Sequence, residues 1–550
     1  MDAALEQRRW WNAETRRYPV AALAGMLWAL AFAQPGIAGL AWVAPGMLLF
    51  TAVGLNPAGA FRTGYVAGLV YALLSLRWLL QMPHAIGAVA GWLALSGYCA
   101  VFPAVWTVLS VRVLVRGASL EIPAKGAAWK SICQAYAGTP WVRRMGLLMT
   151  VSAIWVALEW LRGWFLTGFP WNFLGTSQWR QVALIQLASV TGVYGVSFLV
   201  CWVSTALAAS CISVASDPAN RRAWMAEVRL PMIVVLLCLG WGFNRAVDLR
   251  RGERGPSATT LRLALVQPSI PQTLLWDPRE SERSFGVASR LTVSALETKP
   301  DVVVWPEGDF GLSRENFASM TARLAAAGVG WVFTATDVEE TPSGNRHYNA
   351  AFATGADGRV RATYRKRRLV AFGEYVPLAG GLPFLRHLTP IGDGFAAGNS
   401  AVAFPLGMAM ASPVICFEDT FPHGVRGHVS EGTDFLLELT NDGWFGRSGA
   451  QWQHLANAVF RSVENGVALV RCTNNGVTAW VDELGVVREM LGESGDTVHR
   501  EGFLTVRVPM RLGRAGDTWY GKHGDVFGYV CVAAGVWGVI RRGRRTEILR

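Results

Sequence analysis

The chain has 550 residues, 52% of them hydrophobic and only 16% charged, with 25 Trp and a formal net charge of +12. That balance is too apolar for an ordinary soluble protein of this length and places part of the chain in lipid. No Arg-rich helix and no basic sheet with interleaved aromatics accompanies the charge, so anionic headgroups explain it better than nucleic acid does.

A bilayer span needs roughly 20 mostly apolar residues. Such runs recur near 19–35, 38–54, 62–82, 85–111, 146–161, 182–213 and 229–243, with a last one near 525–540. The expected architecture is a multi-pass α-helical membrane domain over 1–245, an α/β domain over 260–510 and a C-terminal membrane helix over 524–541, with about eight spans in all. The first run lacks the short apolar core and small-residue cleavage site of a removable signal peptide, so it reads as a retained anchor.

Lys and Arg in the short loops set the orientation. Arg8, Arg9, Arg16 and Arg17 precede the first run, Arg541, Arg542, Arg544 and Arg545 follow the last, and the loops at 112–145 and 216–229 are also basic. Both termini then face the cytoplasm and 246–522 lies on the outer face. Arg245, Arg250, Arg251 and Arg254 pull the other way, but long translocated domains are largely exempt from the charge bias. Glu159 and Arg162 share a helical face and are expected to pair inside the bundle. The Trp- and Phe-rich stretch 164–180 reads as an interfacial segment forming a lipid-facing portal beneath the candidate nucleophile.

In the outer domain, short β-branched runs at 262–267, 301–306, 329–336, 348–354, 412–417, 435–440, 467–472 and 477–482 are interleaved with amphipathic stretches at 278–297, 314–327 and 450–465. Strands alternating with helices imply a largely buried sheet covered by helices.

Three chemically active residues stand at the ends of apolar runs: Glu307 in Val304-Trp305-Pro306-Glu307, Lys366 in Tyr364-Arg365-Lys366-Arg367-Arg368, and Cys416 in Val414-Ile415-Cys416-Phe417-Glu418. A Glu, a Lys and a Cys so placed suggest a nucleophilic thiol with a base and an electrostatic partner. Each also has a plainer reading: Glu307 as a turn carboxylate or helix cap, Lys366 as part of a solvated basic surface, Cys416 as an inert core thiol. Of the eight Cys, only Cys416 and Cys472 fall in the outer domain, where a disulfide between them is the structural alternative. There is no Cys-x-x-Cys and the His residues are scattered, so neither a metal nor a cofactor is expected.

Further segments accompany these three: Val266-Gln267-Pro268-Ser269-Ile270-Pro271-Gln272 with Trp276, Tyr348-Asn349, Phe372-Gly373-Glu374-Tyr375-Val376-Pro377, Thr440-Asn441-Asp442-Gly443-Trp444-Phe445 and Thr473-Asn474-Asn475-Gly476. With them the outer domain resembles the nitrilase superfamily, whose members use a Glu-Lys-Cys triad on an αββα sandwich. In the membrane half, Glu159-Trp160-Leu161-Arg162-Gly163 and Thr167-Gly168-Phe169-Pro170-Trp171 extend the likeness. Almost the whole chain resembles the bacterial apolipoprotein N-acyltransferase family.

The resemblance implies acyl transfer from a membrane phospholipid such as phosphatidylethanolamine, through a Cys416 thioester, to the N-terminal amine of a diacylglyceryl apolipoprotein. It also implies residence in the bacterial inner membrane with the catalytic domain in the periplasm. Glu307, Lys366 and Cys416 would be catalytic, Glu374 and Glu418 supporting, and Trp276, Trp444, Asn441 and Tyr348 substrate-binding. Gly373 and Gly380 flank the Glu374 stretch, where they are either lid hinges or ordinary turn glycines. Two positions depart from the family pattern: Phe417 stands where many members have Tyr, and Ala371 replaces a frequent Pro. The alternative is a membrane-tethered amidase in which water takes the amine's place and a small amide is hydrolysed.

Overall fold

The structure is a computed structural model that describes residues 14–117, 129–216, 222–252, 259–275, 277–342, 344–377, 381, 394–492, 496–510 and 517–541. Two compact units divide the chain. One comprises Met1–Arg77, Gly91–Phe243 and Asp525–Arg550, the other Trp78–Ala90 and Asn244–Gly524.

The first unit is built on α1 (Tyr18–Leu30), α2 (Ala44–Ala52), α3 (Pro57–Ser75), α4 (Ala85–Gly117), α5 (Trp129–Gly138), α6 (Trp141–Arg162), α7 (Val193–Ser216), α8 (Ala223–Gly252) and the C-terminal helix Val526–Ile540, except that residues 85–90 of α4 and 244–252 of α8 are assigned to the other unit. Among the described residues, four helical segments are long and apolar enough to cross a bilayer: α4, α6, Val193–Ala215 of α7 and Met225–Leu249 of α8. The other expected spans fall on α1, α2, α3 and the C-terminal helix, which have 13, 9, 19 and 15 residues. The run expected as one span over 182–213 is interrupted. Short turns at Val182–Ile185 and Ala188–Thr191 precede Gly192, whose φ of 66° ends the helical path before α7 begins.

Close backbone approach holds the helices together, as expected where burial from water supplies no drive between apolar surfaces. A Cβ on Gly25 of α1 would stand 2.2 Å from the Ala67 carbonyl oxygen of α3. Trp28 stacks on Tyr71 at a centroid distance of 3.7 Å and meets Trp155 at 4.9 Å.

The Glu159 and Arg162 side chains are both buried and attract each other through charge, and each takes hydrogen-bond partners of its own. Glu159 Oε1 accepts from Trp155 Nε1 at 3.0 Å and from the Leu174 N–H at 2.6 Å, while Arg162 Nη2 donates to the Trp171 carbonyl at 3.2 Å. These bonds fold the chain after α6 back into its own unit. The stretch expected at the interface is therefore split. Trp164, Phe165 and Leu166 are exposed, whereas Trp171, Phe173, Leu174 and Gln178 are buried.

The second unit contains two six-stranded sheets. One has the order β12-β1-β2-β3-β4-β5, with β1 (Thr260–Gln267), β2 (Val302–Val304), β3 (Gly330–Thr341), β4 (Gly344–Thr354), β5 (Val360–Arg365) and β12 (Gly502–Pro509). The other has the order β11-β10-β9-β8-β7-β6, with β6 (Phe404–Leu406), β7 (Ala409–Ile415), β8 (Phe435–Thr440), β9 (Ala468–Thr473), β10 (Ala479–Val481) and β11 (Val487–Met490). The central strands β1, β2 and β3 run parallel, as do β7, β8 and β9.

Side-chain alternation along the strands separates two cores. Leu263, Leu265, Val302 and Val304 of the first sheet share a buried cluster with Ile415, Leu437, Leu439 and Val470 of the second, so the sheets pack face to face. The reverse side of the first sheet, with Val303, Trp305 and Trp331, packs on α9 (Ser281–Leu296) and α10 (Arg314–Ala326) through Ala288, Ala295, Met320 and Leu324. All 16 residues of α11 (Ala450–Asn465), which packs against β9, are buried. The result is an αββα sandwich.

Candidate active site

Four strand ends converge to build the site. β2 stops early because Pro306 has no N–H to donate to the ladder. Thr334 Oγ1 then accepts from the Gly308 N–H at 3.0 Å and donates to the Pro306 carbonyl at 3.1 Å, fixing the turn that carries Glu307. Lys366 directly follows β5 and stays in backbone register, its N–H bonding the Asn349 carbonyl at 2.8 Å. Cys416 directly follows β7 and opens a short 3-10 turn, Cys416–Thr420, with φ at 51°. A non-glycine residue in that region stores local strain and occurs disproportionately at functional sites. Asn441 directly follows β8.

The Glu307, Lys366, Glu374 and Asn349 side chains meet in one hydrogen-bonded array, and Cys416 interacts with Glu307 and Lys366 through charge. Lys366 Nζ lies 2.8 Å from Glu374 Oε1 and 3.2 Å from Glu307 Oε1. Asn349 Nδ2 donates to the same two oxygens, at 2.8 Å each. The Asn441 N–H donates to Glu307 Oε2 at 3.1 Å, and the Val370 N–H to Glu374 Oε2 at 2.8 Å. Lys366 is 1% exposed. Burial alone would lower its pKa, but Glu307, Glu374 and Cys416 together hold it well above the usual lysine value. The Cys416 thiol is pushed well above its ordinary range by burial and by the Glu307 carboxylate, with Lys366 acting against both. The resting thiol is therefore protonated, so its ionisation has to be coupled to proton transfer during attack.

Glu418 acts on the backbone. Its carboxylate accepts from Tyr364 Oη at 2.7 and 2.8 Å, from the Arg367 and Arg368 N–H groups at 2.8 and 3.0 Å, and from the Ile415 N–H at 2.8 Å. It thus ties the end of β5, which carries Lys366, to the end of β7, which carries Cys416.

The substrate-binding expectations divide. Asn441 is buried, with Nδ2 bonded to Gln272 Oε1 at 2.5 Å and Oδ1 accepting from Asn474 Nδ2 at 3.1 Å. Trp444 sits half-buried in the 3-10 turn Asp442–Phe445. Tyr348 is not brought to the triad: its hydroxyl donates to Glu339 Oε2 at 2.6 Å, and Arg365 covers its ring at 4.0 Å. Strand alternation sends Tyr348 one way and its neighbour Asn349 the other, so Asn349 is the residue that reaches the carboxylates. Trp276 and Gly380 lie outside the described residues. Cys416 and Cys472 are both free thiols, Cys472 Sγ lying 3.4 Å from the Val266 and Val304 carbonyls.

Asp419, Glu438 and His454 have the donor set and spacing of a cation site. Arg471 takes that position instead: its Nη1 bonds Glu438 Oε1 and lies 3.6 Å from Asp419 Oδ2. This buried cluster is not legible in the sequence, because Glu438 and Arg471 sit singly inside apolar strands.

Comparison with known proteins supplies the wider context. Residues 24–206 match the apolipoprotein N-acyltransferase N-terminal domain and residues 262–506 the carbon-nitrogen hydrolase domain. An apolipoprotein N-acyltransferase of Geobacter metallireducens is 35% identical over 94% of this chain and 94% of its own length. Namesakes from Bradyrhizobium diazoefficiens and Shewanella oneidensis are 31% and 28% identical, covering 77% and 96% of this chain and 79% and 96% of their own lengths. With membrane helices and αββα sandwich both within the match, the chain belongs to the apolipoprotein N-acyltransferase family.

Proposed function

We propose that the protein transfers a fatty acyl chain from a membrane phospholipid to the N-terminal amine of the diacylglyceryl-cysteine of an apolipoprotein, through a thioester on Cys416. The observation that carries this reading is the convergence of Glu307, Lys366 and Cys416 on strand ends in a chain whose family likeness also runs through its membrane helices. Glu307 takes the thiol proton as sulfur attacks the ester carbonyl. Lys366 stabilises the tetrahedral oxyanion, a contribution of about 3–4 kcal/mol for a preorganised donor. The carbon–oxygen bond breaks, Glu307 returns its proton to the departing lysophospholipid oxygen, and the acyl chain remains on sulfur. The incoming amine then attacks the thioester and gives a proton to Glu307. The carbon–sulfur bond breaks, and the thiolate is reprotonated as the amide is released.

Phosphatidylethanolamine is the proposed donor. Trp444, Asn441 and Trp276 are proposed to bind substrate. The finer topology belongs to the same reading: about eight crossings of the inner membrane, catalytic unit in the periplasm, both termini in the cytoplasm, supported by the basic clusters flanking the outermost spans. Hydrolysis of a small amide would need only the second unit, and the extent of the family likeness argues against it.

The test is triacylation of a synthetic diacylglyceryl lipopeptide by the detergent-purified protein with chain-labelled phosphatidylethanolamine. Label in an amide on the peptide is expected. Label released only as free fatty acid would overturn the reading.

A further inference from the structure

His454 is 0% exposed at the centre of a buried charge cluster. Its Nε2 is 2.9 Å from Asp419 Oδ1, and its Nδ1 is 2.8 Å from Asp442 Oδ1. Asp419 belongs to the turn opened by Cys416. Asp442 follows Asn441, whose N–H holds Glu307 Oε2. We propose that His454 is a positioning residue, a staple joining the turn that carries the nucleophile to the loop that orients the catalytic carboxylate.

The electrostatics of the cluster fit a permanent staple. With a carboxylate on each nitrogen, both ring positions are donors and the ring is an imidazolium. Burial and the neighbouring Arg471 guanidinium oppose the charge, but Asp419 and Asp442 outweigh them and hold the pKa up at about 10. Arg471 braces the same loop from β9, donating to Asp442 Oδ2 at 2.8 Å and to Glu438. Its Nη2 lies 3.0 Å from His454 Nδ1, both nitrogens being directed at Asp442. The groups facing His454 are thus Asp419 from the nucleophile turn, Glu438 from β8, Asp442 from the loop and Arg471 from β9.

Backbone packing is adapted to the staple as well. A Cβ on Gly476 would stand 2.0 Å from Asp442 Oδ2, so the carboxylate occupies the space a side chain would need. With Asp442 fixed from both sides, Asn441 has one backbone direction, and the Asn441 N–H meets Glu307. The cluster lies on the α11 side of the second sheet, whereas Leu437, Leu439 and Val470 fill the space between the sheets.

The inference rests on the acyl-transfer reading for its catalytic consequence, so the test includes a readout independent of lipid. Full-length His454→Gln and Asp442→Asn are compared with the unaltered protein in detergent for thermal unfolding, for kcat and KM of Cys416 acylation by phosphatidylethanolamine, and for iodoacetamide labelling read at the Cys416 peptide. Asp442→Asn keeps an oxygen toward Nδ1 and carries the test if His454→Gln does not fold. In a folded variant, kcat for acylation is expected to fall roughly 100-fold with KM unchanged, as for a small misplacement of reacting groups, and labelling to fall with it. Folded variants acylated within about twofold of the original rate would overturn the staple, since a merely structural role would move only the unfolding temperature. If the unaltered protein takes no acyl group while Cys416 labelling still falls in the variants, the staple stands and the acyl-transfer reading fails.

Discussion

Lys366 Nζ is closer to Glu374, at 2.8 Å, than to Glu307, at 3.2 Å. Two carboxylates therefore share one buried ammonium, and Glu374 is the nearer anchor. Glu374→Gln keeps the shape but removes half of the pairing charge, leaving Lys366 to swing toward Glu307. Acyl-enzyme formation in a single turnover is expected to drop about 100-fold, comparable to losing one preorganised donor, with the unfolding transition retained. An unchanged single-turnover rate would remove Glu374 from the catalytic surround.

The Glu418 carboxylate makes a different prediction, because its partners are mostly backbone groups. Glu418→Ala strands the N–H groups of Ile415, Arg367 and Arg368 together with the Tyr364 hydroxyl. Hydrogen bonds to a charged group are worth about 1.5–3 kcal/mol each, non-additively. The second unit should lose more stability than in Glu374→Gln, and acylation should fall in the same variant. Chemical denaturation followed by Trp fluorescence checks the first effect, intact-mass kinetics the second.

A pH dependence follows from His454. Its folded pKa of about 10 lies above the 6.5 of a free histidine, so the stability it supplies is fully present below pH 6.5. That stability is lost progressively as pH rises toward 10. The unaltered protein should therefore unfold at lower temperature at pH 9 than at pH 6.5, and His454→Gln should flatten that slope. A variant with the full original slope would show that His454 does not supply it.

In the helical unit, Gly25→Val places a branched side chain against the Ala67 carbonyl, where even a Cβ would be 2.2 Å away. Helices α1 and α3 must separate, and overpacking of this kind costs about 1–3 kcal/mol. Lowered thermal stability in detergent is the expected result, whereas Val at the neighbouring exposed Met26 should have little effect.

Much of this site was legible in the sequence, for identifiable reasons. Glu307, Lys366 and Cys416 each stand at the end of an apolar run, and strand ends are where a parallel sheet presents side chains to a ligand. The eight strands read from apolar runs are all present, and β2 is shorter than its run only because Pro306 ends the ladder. Strands β5, β6, β11 and β12 were not legible. Val360–Arg365 is polar and half-exposed at a sheet edge, Gly502–Pro509 is also mostly half-exposed, and the other two have 3 and 4 residues. That Asn349 rather than Tyr348 reaches the carboxylates is not legible in the sequence, because a run of residue types does not reveal which face of the strand meets the site. The His454 cluster was hidden for a related reason: one charge in each of several apolar segments looks like noise until the fold stacks them.

The most direct test of the central claim is intact-mass spectrometry of the purified protein and of Cys416→Ala after incubation with phosphatidylethanolamine, before and after addition of a diacylglyceryl lipopeptide with a free amine. The account predicts one acyl-sized mass gain that requires Cys416 and is discharged as the peptide becomes triacylated. An unmodified protein in intact lipid and detergent, or an adduct that survives in Cys416→Ala, would contradict it.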